Sequence, residues 1–214
     1  MNILILGPES RNEHVIEFFE SKGYNLSLTT EPISLEFLDE NNIDFLISYG
    51  YAPVLKPPVT TVYRNRIINI HPAHLPEGRG IYTNFWSFFE GRVKGVSVHF
   101  INEGIDTGDI IARREVSFSD SETLKTTHIK LDRAVEQLFF EVWDSIAEGT
   151  YEALDQTELS DKQHYRNRID SEALMDLLPQ RWDTPVRYVE EMGAEFHLSA
   201  EFWRDYEQKV SSES

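Results

Sequence analysis

Short apolar runs alternate with helical patterns along the first part of the chain, and this alternation constrains the fold most strongly. The predicted elements, in order, are strand 2–6, a helix ending at Gly23, strand 24–29, helix 34–40 and strand 44–48. Uninterrupted apolar runs of this length are typical of strands that are buried on both faces. Strands separated by helices favour a parallel sheet with right-handed crossovers, so the pattern predicts an α/β fold.

The same pattern continues to about residue 150 and then changes. The further predicted elements are strand 67–70, helix 83–90, strand 95–101, strand 110–116 and a long amphipathic helix at 124–148. Later residues are rich in charge and aromatic side chains, with helices predicted at 171–178, 184–191 and 199–210. We therefore predict a Rossmann-like, mostly parallel sheet with helices on both faces over residues 1–150, and a short helical C-terminal extension over residues 151–214.

Cysteine content and charge narrow the chemistry. The 214 residues include no cysteine, which excludes a disulfide framework, a thiolate zinc site and a cysteine nucleophile. With 20 basic and 37 acidic residues the net charge is −17, so most of the surface should repel the phosphates of nucleic acid. The N-terminal residues lack a signal-peptide pattern and no window approaches a membrane span, so we expect a cytoplasmic protein without nucleic-acid or membrane partners.

Three polar residues lie where a site is expected in such a fold. Asn69 and His71 end a predicted strand, and their side chains share one side because they are two residues apart on extended chain. Asp106 lies between Gly104 and Gly108, which allow a sharp turn close to a ligand. An amide N–H can stabilise an oxyanion, an imidazole can donate and shuttle a proton, and a carboxylate can accept one. None of the three is a ready nucleophile, so direct attack by an amine on an activated acyl group is favoured over an acyl-enzyme.

Each of these residues also has an ordinary structural interpretation. An Asn-x-His sequence before proline commonly marks the end of a strand, and an aspartate between glycines commonly forms a turn. His99 lies inside the next predicted strand. It is interpreted either as a core histidine bonded to a neighbour or as a supporting residue of the site.

Read together, the motifs are more specific than any one of them. Asn69-Ile-His-Pro, Val98-His99 and Gly104-Ile-Asp-Thr-Gly follow one another in the order that characterises a known family. The chain resembles the folate-dependent formyltransferases, which act on glycinamide ribonucleotide, methionyl-tRNA or nucleotide sugars. The resemblance covers roughly residues 1–150. It implies a Rossmann-like fold, 10-formyltetrahydrofolate as the formyl donor and no metal.

The resemblance also implies roles for individual residues. Asn69 and His71 would stabilise the tetrahedral oxyanion, Asp106 would act as base or proton relay, and His99 would support them. Two loops would contact the folate, in part through backbone groups. These folate-binding residues are Tyr51, Val54, Leu55, Asn102, Gly104 and Ile105.

The stretches 75–80 and 84–87 are similar to those of the small nucleotide-sugar N-formyltransferases. This similarity implies a nucleotide-linked amino deoxy sugar as the acceptor and a place in lipopolysaccharide O-antigen biosynthesis. Arg79 is interpreted as an acceptor contact or a surface arginine, and Trp86 as an acceptor contact or a core tryptophan. Ser10 is interpreted as an acceptor contact or a helix N-cap.

Several alternatives stay open at this stage. They are a glycinamide ribonucleotide formyltransferase, a formyltetrahydrofolate hydrolase, and a folate or nucleotide binder without activity. Glu9 disfavours the first, because it puts a negative charge where the substrate phosphate would rest. The acidic chain and its short extension disfavour a tRNA substrate. Aromatic residues among charges after residue 160 indicate either a homodimer contact or cover for a sheet edge.

Overall fold

The computed structural model describes residues 1–159, 165–166 and 168–198. The strands within these residues are β1 (Asn2–Leu6), β2 (Asn25–Thr29), β3 (Phe45–Ser48), β4 (Ile67–His71), β5 (Arg79–Gly80), β6 (Gly95–Phe100), β7 (Ile110–Glu115) and β8 (Tyr165–Arg166). The α-helices are α1 (Glu9–Ser21), α2 (Leu35–Glu40), α3 (Val59–Val62), α4 (Thr83–Phe89), α5 (Leu124–Glu148), α6 (Arg168–Met175) and α7 (Val186–Leu198). Two short 3₁₀ helices cover Gln156–Glu158 and Arg181–Asp183.

Six strands form the main sheet, in the order β2-β1-β3-β4-β6-β7. The pairs β2–β1, β1–β3 and β3–β4 are parallel, whereas β4–β6 and β6–β7 are antiparallel. The predicted Rossmann-like, mostly parallel sheet is therefore confirmed. The two-residue strands β5 and β8 form a separate parallel pair, which the sequence pattern did not predict.

Helices cover both faces of the sheet, as the sequence predicted. The side chains of β1 alternate between two hydrophobic clusters because successive residues of a strand point to opposite faces. Ile3 and Ile5 pack with α1 and α5, while Leu4 and Leu6 pack with α2 and α3. All four side chains are fully buried, which explains why β1 is an uninterrupted apolar run.

The long helix α5 has the bounds that the sequence predicted. Its N-cap Thr123 accepts a side-chain hydrogen bond from the Thr126 backbone N–H, and the Thr123 backbone N–H donates in turn to Thr126 Oγ1. Gly149 ends the helix in the left-handed conformation, with φ +70°. The apolar side of α5 packs on the sheet, so its first turns lie beside the carboxyl ends of the strands.

The C-terminal helices share a hydrophobic cluster with α4. This cluster consists of Phe85, Trp86, Phe88, Phe89, Leu124, Leu174, Met175, Leu178, Val186 and Val189. The helices predicted at 171–178 and 184–191 occur as α6 and α7, and the one predicted at 199–210 lies outside the described residues. Among the residues described, no helix is both long and apolar enough to cross a membrane. A homodimer stays a prediction.

Candidate active site

The end of β4 and the loop after β6 bring four polar side chains together. Asn69 and His99 are directly opposite each other in the antiparallel β4–β6 pair, and Asn69 Nδ2 lies 3.1 Å from His99 Nε2. The loop between β6 and β7 then carries Asp106 back over this point, where Oδ1 lies 3.4 Å from Asn69 Nδ2. His71, two residues beyond Asn69, places Nε2 4.0 Å from Asp106 Oδ2. The structure thus joins the three predicted catalytic residues and His99.

The hydrogen bonds of His99 fix its tautomer. Nδ1 lies 2.7 Å from the carbonyl oxygen of Phe100, which only accepts, so Nδ1 carries the hydrogen. Nε2 therefore presents its lone pair to the Asn69 amide. Burial is the largest effect on His99 and lowers its pKa to about 4, against the opposing charge of Asp106. His99 is consequently neutral near physiological pH and orients the Asn69 amide.

Both carboxylate oxygens of Asp106 are engaged. Oδ2 accepts a hydrogen bond of 2.9 Å from the Gly80 backbone N–H, and Oδ1 accepts one of 3.4 Å from Asn69 Nδ2. Burial acts to raise the pKa of Asp106, but the His71 and His99 rings, the Gly80 N–H and the Arg79 guanidinium together outweigh it. The pKa of Asp106 therefore lies below its usual range, and the group is a carboxylate that can accept a proton.

His71 is held as a hydrogen-bond donor. Its Nε2 lies 2.6 Å from the carbonyl oxygen of Gly78, and its ring meets that of His99 edge to face at 5.7 Å. Ligand atoms of His71, His99 and Asp106 lie within 4.8 Å of one another, a spacing that a metal ion could bridge. Both Nε2 atoms are already committed to hydrogen bonds, so a metal would have to break them. The arrangement instead offers the N–H groups of His71 and Asn69 as donors beside the Asp106 carboxylate.

A cavity of about 600 Å³ opens over these residues. All six residues that the family resemblance assigned to the folate line it, namely Tyr51, Val54, Leu55, Asn102, Gly104 and Ile105. Val54 is 61 % exposed and Ile105 43 % exposed, so two large apolar side chains face the open space. This size and apolar lining fit a planar, drug-sized molecule.

A second group of lining residues comes from α1, α4, α5 and the extension. These residues are Arg11, Tyr82, Thr83, Asn84, His128 and Trp182. The rings of Tyr82 and Trp182 stack at 5.9 Å, and His128 lies 5.7 Å from Trp182. The guanidinium of Arg11 lies 4.4 Å from the centre of the Tyr49 ring and bonds Asp132 at 2.5 Å. The sequence did not identify these residues as one group, because Arg11, His128 and Trp182 are far from Tyr82 and Thr83 in the chain. Only Asn84 lies in a stretch that resembles the family.

The three residues predicted to contact the acceptor do not line this cavity. Arg79 is buried and donates to Gln156, so it is neither a surface arginine nor exposed to the cavity. Trp86 is 2 % exposed and donates to Ser171, in the core position that was its alternative interpretation. Ser10 lies in a smaller depression beside Arg11. It is not the N-cap of α1, since that position is Pro8 and makes no side-chain cap bond.

Gln156 is the other residue that sequence reasoning missed. It is 1 % exposed and bonds both Arg79 and the loop that carries Asp106. Its partners are 77 and 50 residues away in the chain, and nothing in the surrounding sequence marks the position.

Comparison with known proteins agrees with this geometry. Residues 5–143 match the family described as Formyl transferase. The phosphoribosylglycinamide formyltransferase of Bacillus subtilis is 32 % identical over 122 residues, which are 56 % of this chain and 63 % of that protein. A methionyl-tRNA formyltransferase of Thermodesulfovibrio yellowstonii is 30 % identical over 109 residues, or 50 % of this chain and 35 % of that protein. The chain thus matches less than two thirds of the length of either curated relative.

One solved structure is similar over nearly all of the chain. It is the formyltransferase PseJ from Anoxybacillus kamchatkensis, in complex with UDP-4,6-dideoxy-4-formamido-L-AltNAc and tetrahydrofolate. The two chains are 35 % identical with a TM-score of 0.83, and the match covers 90 % of this chain and 100 % of the other. The similarity therefore extends beyond residues 5–143 into the C-terminal extension.

Proposed function

This chain belongs to the formyl transferase family, and from that premise we propose that it transfers a formyl group from 10-formyltetrahydrofolate to the primary amine of a nucleotide-linked amino deoxy sugar. The observation that carries the proposal is the meeting of Asn69, His71 and Asp106 in a cavity of about 600 Å³ that two separate groups of residues line. The similarity to PseJ, whose structure holds a formamido sugar nucleotide and tetrahydrofolate, supports the acceptor class.

The proposed roles follow from the hydrogen-bond donors and acceptors that meet in the cavity. When bound, the folate supplies the activated formyl group. Asn69 Nδ2 and the His71 N–H, which now points to the Gly78 carbonyl, donate to the oxygen as it gains charge. Asp106 accepts a proton from the attacking amine. A C–N bond to the acceptor forms, the bond from the formyl carbon to N10 breaks, and the proton passes to N10.

We assign the two groups of cavity-lining residues to the two substrates. The loops that carry Tyr51, Val54 and Ile105 present apolar surface to the planar parts of the folate. The second group, with Tyr82 and Trp182, then remains for the acceptor, and flat aromatic rings suit the base of a nucleotide. Arg11 is a cation on the same side and suits a phosphate once its bond to Asp132 is exchanged.

A panel of acceptors tests this proposal. The purified protein is mixed with 10-formyltetrahydrofolate and with UDP- and dTDP-linked amino sugars, and the release of tetrahydrofolate is followed. We expect release with at least one amino sugar nucleotide and none with the matching hydroxyl sugar, which lacks the amine. Asp106→Asn serves as the inactive control. No turnover with any amino sugar nucleotide, from folded protein that binds folate, would reject the acceptor class.

Glycinamide ribonucleotide is the second acceptor in the panel, because the Bacillus subtilis relative is 32 % identical. Glu9 in the first turn of α1 argues against it, since a carboxylate at that helix start repels the substrate phosphate. Turnover of glycinamide ribonucleotide, with none of any amino sugar, would reassign the protein to purine synthesis. Formate release without any amine would identify a hydrolase instead.

A further inference from the structure

Gln156 makes four hydrogen bonds that join a buried cation to the loop of Asp106. Nε2 donates to the carbonyl oxygens of Asp106, at 2.9 Å, and Gly108, at 2.6 Å. Oε1 accepts from Arg79 Nε at 3.1 Å and from Arg79 Nη2 at 2.7 Å. Carbonyls only accept and a guanidinium only donates, so these partners fix the orientation of the amide. No other side-chain orientation satisfies both sides.

The loop needs such support because its backbone is strained. Asp106 has φ +52°, in the left-handed region, where a residue with a Cβ costs about 1 kcal/mol. Gln156 bonds the carbonyl of this residue and that of Gly108, so it holds the chain on both sides of Thr107. The segment before Gln156 is itself tied down, because Leu154 and Ile110 exchange backbone hydrogen bonds of 2.8 and 2.9 Å.

Arg79 acts on the same carboxylate from the other side. It is 6 % exposed, and the next residue, Gly80, donates its backbone N–H to Asp106 Oδ2. The two-residue strand β5 therefore acts on Asp106 in two ways. Gly80 bonds its carboxylate directly, and Arg79 bonds Gln156, which in turn bonds the backbone of the loop. Neither the Arg79 nor the Gln156 side chain lines the cavity, so neither contacts a substrate there.

We propose that Arg79 and Gln156 form a brace that sets the position of the Asp106 carboxylate, and that both are positioning residues for formyl transfer. The proposal rests on the catalytic role of Asp106 in the proposed function. Gln156 follows the family match at residues 5–143, so the C-terminal extension takes part in building the site.

The brace also affects the charge state of Asp106. The groups that face this carboxylate are His71 from β4, His99 from β6 and Arg79 from β5, and each lowers the pKa of Asp106 against burial. Loss of the Arg79 cation should therefore raise that pKa. Because the base must be ionised, the acid side of the pH–rate profile should move to higher pH, and activity should recover as the pH rises.

The test compares four variants with the wild-type protein. Arg79→Met removes the cation, and Arg79→Lys keeps it. Gln156→Met removes both sets of bonds, whereas Gln156→Glu can still accept from Arg79 but cannot donate to the two carbonyls. Arg92→Met is the matched control, because Arg92 is a half-buried arginine that bonds the Glu77 carbonyl outside the cavity. Thermal unfolding checks that every variant is folded.

Two measurements distinguish a failure of the brace from a failure of the proposed transferase activity. The first is the titration midpoint of Asp106 in the substrate-free protein, followed by carboxyl NMR and assigned with Asp106→Asn. The second is the pH profile of kcat/KM with 10-formyltetrahydrofolate and the best acceptor. The NMR midpoint can be measured even if no acceptor is turned over, so the brace is testable without the transferase activity.

We expect Arg79→Met to move both the NMR midpoint and the acid limb to higher pH, with Arg79→Lys close to wild type. Both Gln156 variants should lose about 10- to 100-fold in kcat, with a smaller change in the KM for folate, because a misplaced carboxylate slows the chemical step. Arg92→Met should leave the midpoint unchanged. An unmoved midpoint in folded Arg79→Met, or wild-type kcat in both Gln156 variants, would overturn the proposal.

Discussion

At the scale of residues, the site is a closed set of hydrogen bonds around Asp106 and Asn69. His99 is neutral and accepts from Asn69, whose amide also reaches the Asp106 carboxylate. The carboxylate in turn accepts from the Gly80 backbone. Each side chain is thereby oriented before any substrate binds, which is the arrangement that stabilises a developing charge with little reorganisation.

Removal of either proposed oxyanion donor should slow turnover strongly. Asn69→Ala and His71→Ala should each lower kcat by about 10²-fold or more, because each leaves the developing charge with one donor fewer. Steady-state rates with saturating substrates measure this effect. His14→Ala is the control, since it removes a histidine that is exposed and lies outside the cavity. Loss in the control equal to that in His71→Ala would point to a general effect on the fold.

His99 should make the protein less stable at mildly acidic pH. Its pKa is about 4 in the folded protein against an ordinary value of 6.5, so the unfolded chain binds the proton more readily between these values. The neutral His99 ring therefore contributes fully to the free energy of unfolding above pH 6.5, and this contribution is lost as the pH falls toward 4. His99→Gln offers an amide oxygen to Asn69 without titrating, so its unfolding free energy should fall less steeply. Denaturant titrations from pH 7.5 to 4.5 compare the two slopes, and equal slopes would contradict this assignment.

The candidate catalytic residues could be identified in the sequence, whereas the residues that support them could not. Asn69, His71 and Asp106 could be identified because their spacing and neighbouring glycines and proline are local features. Arg79 is interpreted from the sequence as an acceptor contact or a surface arginine, because the stretch 75–80 is similar to those of the small nucleotide-sugar N-formyltransferases. Its true partner, Gln156, is 77 residues away, and only the folded chain brings the two together.

At the scale of elements, the C-terminal helices pack against helix α4, which lies beside the cavity. Helix α7 packs on α4 by a close backbone approach, and α4 begins with cavity-lining residues Thr83 and Asn84. Asn84 also bonds the Leu124 carbonyl and Thr127 at the start of α5. The three helices are therefore linked beside the second group of cavity-lining residues.

Gly193 should be required for the contact between α7 and α4. A Cβ at this position would lie 1.8 Å from the Phe89 carbonyl oxygen, which is backbone and cannot rotate away. Gly193→Ala would gain up to about 1 kcal/mol in helix propensity, but the helices would have to separate. We expect a net loss of about 1–3 kcal/mol in the free energy of unfolding. Glu195→Ala, at an exposed position of the same helix, should change stability by less than about 0.5 kcal/mol, and a stabilised Gly193→Ala would refute this packing.

The helices and strands could be predicted where the hydrophobic pattern is long or where a residue such as glycine marks its end. Helix α5 was predicted with its observed bounds because its amphipathic pattern is long and Gly149 marks its end. The short strands β5 and β8 were missed because two residues carry no periodicity, and their pairing depends on tertiary contacts. The change from parallel to antiparallel pairing after β4 was likewise invisible, since strand direction is not written in the apolar pattern.

At the scale of the whole molecule, the net charge of −17 is the main electrostatic feature of the chain. Repulsion among the acidic residues opposes the compact state, and salt screens it over a Debye length of about 10 Å at 0.1 M. The exposed ion pairs, such as Arg187 with Glu191, contribute little to the stability of the fold, so screening them with salt costs little stability. Screening of the repulsion should therefore change stability more than screening of the ion pairs.

The melting temperature should rise as sodium chloride is increased from low concentration to about 0.5 M. Scanning calorimetry at fixed pH measures the change, with potassium chloride giving the same increase at equal ionic strength. Sucrose of matched osmolality is the uncharged control and should not reproduce the early, steep part of the rise. A melting temperature that falls with salt would mean that ion pairs outweigh the repulsion.

In the proposed mechanism, the formyl group passes directly to an amine at Asn69, His71 and Asp106. Rapid-quench single turnover with carbon-13 formyl-labelled 10-formyltetrahydrofolate and the best amino sugar nucleotide tests it most directly. We predict that the label moves from the folate to the sugar amide in one step, with no label on the protein and with the step lost in Asp106→Asn. Label trapped on the protein, or released as formate while the amine stays unmodified, would contradict direct transfer to the amine.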